Sequence, residues 1–251
     1  MGTQIKKTIL FGLLLLVVVL ALSVGTAMVH AQTSQITLKP TQDAYVDSYN
    51  PDSNHGGQND LDVENYQYSI GSTVWSFQSI TWLKFSLSSV PAGATIDSAT
   101  LQMYSTFVVE TYTVHAYYCS DDSWTELGIT WTNKPTASLT SVDSKTVATS
   151  GQWYNWNVLE AVNSAKISNN LTTVTIALGE PTAHGATSFV WFFSKEAPAY
   201  PNDYSPKLTI HWSGVIPEFQ PVILLPLFMI VTSLVAILYR TKNKKMGKYS
   251  L

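Results

Sequence analysis

The chain has 251 residues, one cysteine and a formal net charge of −3. Its length fits one folded domain with a hydrophobic core, and a single cysteine excludes an intramolecular disulfide. Residues 32–216 hold seven lysines and no arginine against sixteen acidic residues, a formal charge of −9. This balance excludes the cationic surface that a nucleic-acid partner requires.

The N-terminus has the order of a secretory signal peptide. Lys6 and Lys7 precede an apolar stretch from Ile9 to Leu22, and small residues follow up to Ala31. We predict that residues 1–31 are a signal peptide cleaved after Ala31, with an uncleaved signal anchor as the alternative. The residues that follow are therefore predicted to lie outside the cell, at its surface.

Short segments of alternating, β-branched or aromatic residues predict an all-β domain over residues 32–214. In Ile80–Leu87 the more apolar side is predicted to face the core, and it consists of Thr81, Leu83, Phe85 and Leu87. Ten strands are predicted in chain order: Gln35–Leu38, Ala44–Asp47, Asp60–Glu64, Ile80–Leu87, Ala99–Phe107, Thr111–Cys119, Gly151–Val158, Thr173–Leu178, Thr187–Ser194 and Lys207–Trp212.

One segment departs from the β pattern. Leu159, Val162, Ala165 and Ile167 have the spacing of a short amphipathic helix. The sequence Asn170-Leu171-Thr172 follows it and is the only N-glycosylation pattern in the chain. We therefore predict Asn170 as a glycosylation acceptor in a loop after the helix.

The C-terminal part predicts a membrane anchor. Residues 215–221 form a linker, and Val222–Tyr239 contains no charged residue. As a helix these residues span about 27 Å, enough to cross a bilayer. Arg240 and four lysines follow, so residues 240–251 are predicted to form a basic cytoplasmic tail.

Several short motifs run through the domain in a fixed order: Asp43–Asp47, Asn50–Gly56, Leu61–Val63, Trp82–Ile96, Ala99–Tyr104, Asp122–Glu126, Ile129–Pro135, Phe193–Ala197 and Ser205–Leu208. Together they resemble the DNRLRE-type domain, also classed as carbohydrate-binding module family 96, over residues 36 to 212. The resemblance implies a jelly-roll-like antiparallel β-sandwich with one short helix. It also implies binding of a polysaccharide such as alginate, as in characterised relatives. Lys84 and Lys195 stand where arginine is common.

The C-terminal segment has a resemblance of its own. Pro217, Glu218 and Phe219, followed by an apolar span and a basic end, resemble the PEF sorting signal of archaeal surface proteins. This implies that an archaeosortase-like processing enzyme removes the span and attaches the protein to lipid. A retained transmembrane helix is the alternative, and both keep the domain at the membrane.

Acidic residues near the start of the domain suggest a calcium site, because calcium prefers oxygen ligands from loops. Asp43 and Asp47 lie on one face of a predicted strand, and we predict that they bind calcium with Asp52 or Glu196. The alternative is that these residues form turns and solvated edges.

Tyr66, Tyr68, Trp75 and Phe77 occur in a stretch without a counterpart in the resembled pattern. We interpret it as an inserted loop whose exposed aromatic side chains stack on sugar rings. The alternative is a loop that packs onto the sandwich.

Catalytic motifs are not evident in the sequence. Neither Ser-x-x-Lys nor Gly-x-Ser-x-Gly occurs, and the histidines lack zinc spacing. We expect a non-catalytic, surface-anchored module that binds polysaccharide of the cell envelope or the environment. The alternatives are a structural or adhesive envelope protein that contacts other proteins and, third, a glycan-degrading enzyme, which would need two facing carboxylates.

Overall fold

Eleven β-strands and one short helix make up the part of the chain that the computed structural model describes, residues 34–135, 141–184, 188–198 and 202–214. The helix α1, Leu159–Asn163, continues into a π-helical turn, Ser164–Ser168. The strands are β1 Ser34–Leu38, β2 Gln42–Asp47, β3 Asp60–Ile70, β4 Thr73–Ser86, β5 Thr95–Val108, β6 Tyr112–Cys119, β7 Ser141–Val147, β8 Trp153–Asn157, β9 Thr173–Gly179, β10 Phe189–Phe193 and β11 Lys207–Ser213.

All strand pairings between these elements are antiparallel. Strands β1, β11, β5 and β8 pair in one sheet. The other sheet runs β10–β3–β4–β9–β6–β7, and β2 pairs with β4. The C-terminal end of β5, from Ser105 to Val108, pairs with β10, so this long strand connects the two sheets. The predicted antiparallel sandwich with one short helix is confirmed, and its jelly-roll-like connectivity stays a prediction.

The main hydrophobic core contains residues from both sheets. Thr81, Leu83, Phe85 and Leu87 are fully buried, which confirms the predicted inward side of β4. Trp156 is also fully buried, and its Nε1 donates to the Val114 carbonyl at 2.9 Å, so its polar atom has a partner. Ala161 and Val162 of the helix and Ala165 of the π-helical turn lie in this core, and Leu159 packs against it. Three of the predicted helical positions, Leu159, Val162 and Ala165, thus face the core.

The opposite side of β4 is buried as well, which the sequence did not predict. Trp82 belongs to a second hydrophobic cluster with Ala44, Val46, Cys119, Trp124, Ile129 and Ala177. Trp124 and Ile129 come from the loop between β6 and β7, which covers this side of the strand. Lys84 holds the loop in place, because its Nζ donates to the Asp122 carbonyl at 2.5 Å and to the Trp124 carbonyl at 2.7 Å.

The stretch from Tyr66 to Phe77 corrects one prediction. It forms a β-hairpin, the paired ends of β3 and β4, and is not a loop. Ile70 pairs with Thr73, which leaves a two-residue turn with Gly71 at φ +63°. Glycine at the first central position is the requirement of a type II′ hairpin turn.

Among the described residues, no helix has the length and apolar character needed to cross a membrane. The predicted signal peptide 1–31, the linker, the span 222–239, the basic tail and the motif Pro217-Glu218-Phe219 lie outside the described residues. Residues 32–214 form a compact unit with its own core.

Candidate functional site

An open cleft of about 420 Å³ lies along the β3–β4 hairpin and β2. The strand register explains which side chains meet there, since directly opposed residues share a face of a sheet. Glu64 and Asp47 both lie opposite Ser79, one from each neighbouring strand. Tyr66 lies opposite Phe77. The cleft is lined by Tyr45, Asp47, Tyr49, Asp62, Glu64, Tyr66, Tyr68, Phe77, Gln78 and Ser79.

Aromatic rings form one wall of this cleft. The Phe77 ring lies 5.1 Å from the Tyr66 ring and 5.7 Å from the Tyr68 ring, between centroids, and is nearly parallel to the latter. The Tyr49 ring lies 5.4 Å from Phe77 on another side. Tyr68 is 40 % exposed and Tyr49 is 71 % exposed. This wall therefore exposes aromatic surface to solvent, as stacking on sugar rings requires.

Three of the four aromatic residues predicted for sugar binding thus line the cleft. The fourth, Trp75, pairs with Tyr68 nearer the hairpin tip and is exposed, but it does not line the cleft. The prediction missed Tyr45 and Tyr49. Their sequence signal was the alternation Tyr45, Asp47, Tyr49, which places Tyr45 and Asp47 on one side of β2 and continues two residues past its end.

Carboxylates form the floor of the cleft. Asp47 is held in place, since its Oδ2 lies 2.7 Å from His55 Nε2 and its Oδ1 accepts the Asn50 N–H at 2.6 Å. The Asp62 Oδ1 atom is removed from solvent and has no hydrogen-bond partner. Burial, with a smaller contribution from Glu64, raises the pKa of Asp62 well above its usual range. Among the described residues that line the cleft, none is a lysine or arginine.

A second aromatic group lies beside the cleft on the same face of the sheet. Trp191 of β10 lies opposite Asp62 of β3. Its ring is 5.1 Å from that of Phe189 and 5.8 Å from that of Phe107. Phe107 is 48 % exposed and Trp191 38 %. The aromatic surface therefore continues from the hairpin across β3 to β10 and β5.

A carboxylate cluster lies at the other end of β2. One oxygen each from Asp43, Glu126 and Glu196 lies within 4.8 Å of the others. Two of the four residues predicted to bind calcium, Asp43 and Glu196, are thus close together. Glu126 was not among the predicted residues, because only the fold brings it next to Asp43, which lies 83 positions earlier in the chain.

The other two predicted calcium ligands lie elsewhere. Asp47 belongs to the cleft and lies four positions along the strand from Asp43, a distance of about 13 Å. Asp52 accepts a hydrogen bond from the Thr132 hydroxyl at 2.8 Å. The predicted acceptor Asn170 is exposed at a left-handed position, φ +51°, after the π-helical turn. Its glycosylation stays a prediction.

Comparison with known proteins identifies the family to which the chain belongs. No curated protein is significantly similar to this chain. The family model of carbohydrate-binding module family 96 matches residues 34–211, which is well over half of the chain and includes the cleft and the carboxylate cluster. The chain therefore belongs to carbohydrate-binding module family 96.

Proposed function

We propose that the chain is a non-catalytic module that binds polysaccharide and that the hairpin cleft is its binding site. The observation that carries this proposal is the combination of an exposed aromatic wall with a row of polar groups on one sheet face. Sugar rings have apolar faces that stack on aromatic side chains, and their hydroxyls need hydrogen-bond partners. The cleft offers both within one open surface.

The floor carboxylates supply the hydrogen bonds in this proposal. Asp47, Ser79 and Glu64 form a row across three neighbouring strands. The carboxylates of Asp47 and Glu64 accept from sugar hydroxyls, and such charge-assisted hydrogen bonds are about twice as strong as neutral ones. The Ser79 hydroxyl between them can donate or accept. His55 and Asn50 already orient Asp47, so little ordering is needed when a ligand binds. The aromatic surface around Trp191 gives room for more than one sugar unit.

The charge of the cleft favours uncharged polysaccharides over uronic-acid polymers such as alginate. Two unit charges of the same sign 4 Å apart repel by about 4 kcal/mol near a protein surface. The raised pKa of Asp62 leaves Asp47 and Glu64 as the main negative charges of the cleft, and its described lining residues include no lysine or arginine. A polyanion would therefore meet repulsion without a compensating ion pair.

We expect residues 32–214 to bind at least one uncharged glucan, mannan or xylan roughly tenfold or more tightly than alginate, in calorimetric titrations at matched chain length. This ratio corresponds to about 1.4 kcal/mol. Tighter binding of alginate than of every uncharged polymer would contradict the charge argument. Failure of all polymers to bind would contradict the proposed function itself.

The Asp62→Asn variant tests whether the buried Asp62 carboxyl in the floor of the cleft lowers the thermal stability of the domain at high pH. Because the pKa of Asp62 is raised in the folded state, the folded protein keeps a proton that the unfolded chain loses above about pH 4. Asp62 therefore lowers stability as the pH rises from the unfolded pKa through the folded pKa. At pH 8 the asparagine variant should gain at least about 1 kcal/mol in the free energy of unfolding, which raises Tm by roughly 2–4 °C or more. At pH 4 its Tm should change little.

Thermal unfolding of residues 32–214 at both pH values measures this difference. Asp97→Asn is the matched control, because Asp97 is exposed and lies outside the cleft. It should leave Tm nearly unchanged at either pH. An Asp62→Asn protein that is less stable than the parent at pH 8 would contradict the account of the floor.

We also propose that the domain is held at the cell surface by its C-terminal segment. This rests on the sequence order of signal peptide, domain, apolar span and basic tail, together with the Pro-Glu-Phe motif. The mass of the surface form distinguishes the two anchors. A mass that includes residues 220–251 means a retained helix, and a shorter, lipid-modified form means processing. Release of an unmodified, shortened protein into the medium would contradict anchoring.

A further inference from the structure

Three carboxylates from distant parts of the chain meet at the end of β2 that lies away from the cleft. Asp43 belongs to β2, Glu126 to the loop after β6, and Glu196 to the segment after β10. The Glu126 backbone is fixed there, because Asn54 Nδ2 donates to its carbonyl at 2.7 Å and Gln42 Oε1 accepts its N–H at 3.0 Å. Gly56 packs so closely that a Cβ would lie 2.1 Å from the Glu126 carbonyl oxygen.

The polar atoms of this cluster are incompletely paired. Asp43 is 1 % exposed; its Oδ2 accepts the Lys195 N–H at 2.8 Å, while its Oδ1 is buried without a hydrogen-bond partner. The Glu196 Oε2 atom is also buried without a partner. A buried carboxylate oxygen left without a partner is costly. Two such oxygens on neighbouring carboxyls therefore indicate a missing positive group.

Lys195 supplies only part of the positive charge. Its Nζ donates to Glu126 Oε1 at 2.7 Å and also contacts Glu196 Oε1. These are the other oxygens of the cluster, so the ammonium does not reach the two unpaired ones. Three carboxylates against one ammonium leave a formal charge of −2, which a divalent cation would cancel.

We infer that Asp43, Glu126 and Glu196 form a binding site for a divalent cation, and that the cation is calcium. Hard oxygen ligands suit calcium, whereas zinc sites contain histidine or cysteine, which this cluster lacks. Opposed oxygens around calcium lie about 4.6–5.2 Å apart, since each bond is 2.3–2.6 Å long. The three ligand oxygens lie within 4.8 Å of one another, which is close enough for one calcium ion to contact all three.

A bound calcium would connect three segments that otherwise meet only through side chains. It would join β2, the loop that covers Trp82, and the segment after β10. These segments carry the second hydrophobic cluster and one end of the sheet face on which the cleft lies. The domain contains a single cysteine, so no disulfide performs this role.

The cluster has one competing description. In the absence of a cation, burial, opposed by the Lys195 N–H and increased by Glu196, raises the pKa of Asp43 to about 8. The two unpaired oxygens would then share a proton. A titration with calcium separates the two descriptions, because a proton-sharing pair has no reason to bind the metal.

The experiment is a calorimetric titration of residues 32–214 with calcium chloride after removal of metal with EDTA. We expect one site, and a Tm higher by roughly 5–10 °C when calcium is present at about one hundred times its Kd. Magnesium should bind more weakly, because its shorter bonds demand a smaller octahedral site. Absence of both heat and a Tm shift with calcium would overturn the inference.

Variants locate the site. Glu126→Gln and Asp43→Asn each keep the side-chain shape and remove one charge, and each should weaken calcium binding tenfold or more. Asp52→Asn is the matched control, since Asp52 bonds to Thr132 away from the cluster, and it should bind calcium like the parent. Unchanged affinity in Glu126→Gln, or an equal loss in Asp52→Asn, would overturn the assignment of ligands even if Asp43→Asn fails to fold.

Discussion

Replacing Tyr68 with alanine is expected to weaken polysaccharide binding by about ten- to one hundredfold. Tyr68 is 40 % exposed, and its ring is nearly parallel to that of Phe77 at 5.7 Å. A buried aromatic anchor at a binding interface contributes about 2 kcal/mol or more. The substitution removes the ring that would cover a sugar and also one support of Phe77. The measurement is a calorimetric titration with the tightest-binding uncharged polymer.

Two neighbouring residues on the other side of the hairpin provide matched controls. Gln67 lies between Tyr66 and Tyr68 in β3, and Val74 precedes Trp75 in β4. Both are exposed. Because successive side chains of a strand point to opposite sides, both point away from the aromatic wall. Gln67→Ala and Val74→Ala should therefore bind like the parent. If Tyr68→Ala binds as tightly as these controls, the hairpin wall is not the sugar-binding surface.

Replacing Lys84 with methionine is expected to lower the free energy of unfolding by about 2–4 kcal/mol. Lys84 is buried, and its ammonium holds the Asp122 and Trp124 carbonyls and lies 4.7 Å from the Trp124 ring centroid. Methionine has a similar volume but no donor, so two carbonyls of the covering loop lose their partner, each at about 1–3 kcal/mol. Tm should fall by roughly 5–15 °C.

Lys145→Met is the control for loss of a lysine. Lys145 lies on β7, and its side chain is 43 % exposed with a single surface ion pair to Asp143. Such pairs contribute little, so Tm should change by only a degree or two. Equal effects of the two variants would contradict the role of Lys84 in fastening the loop.

Periodicity predicts the parts of the fold in which one side of a strand is uniformly apolar. In β10 the buried Val190 and Phe192 alternate with Phe189, Trp191 and Phe193. This two-residue alternation in the sequence indicates an aromatic face opposite the buried one. The sequence also contains a signal for the hairpin, because alternating aromatic residues flank a Gly-Ser turn on both sides. The stretch has no counterpart in the resembled family pattern, and this favoured the interpretation as an inserted loop. Strand β7, Ser141–Val147, is mostly polar and gave no such signal.

Contacts between distant segments could not be predicted in the same way. A lysine in a strand normally indicates a solvated side, yet Lys84 is buried because a loop forty residues away folds over it. Glu126 is adjacent to Asp43 only after β2 and that loop have packed together. Motif order did predict the family, and the fold brings three residues of these motifs, Asn54, Gly56 and Glu126, into contact.

The most direct test of sugar binding is a glycan array probed with residues 32–214, which form a compact unit. The account predicts retention on one or more immobilised polysaccharides, reversed by the same sugar free in solution. Retention on no glycan, together with binding to isolated cell-envelope proteins, would contradict it and favour a structural or adhesive role.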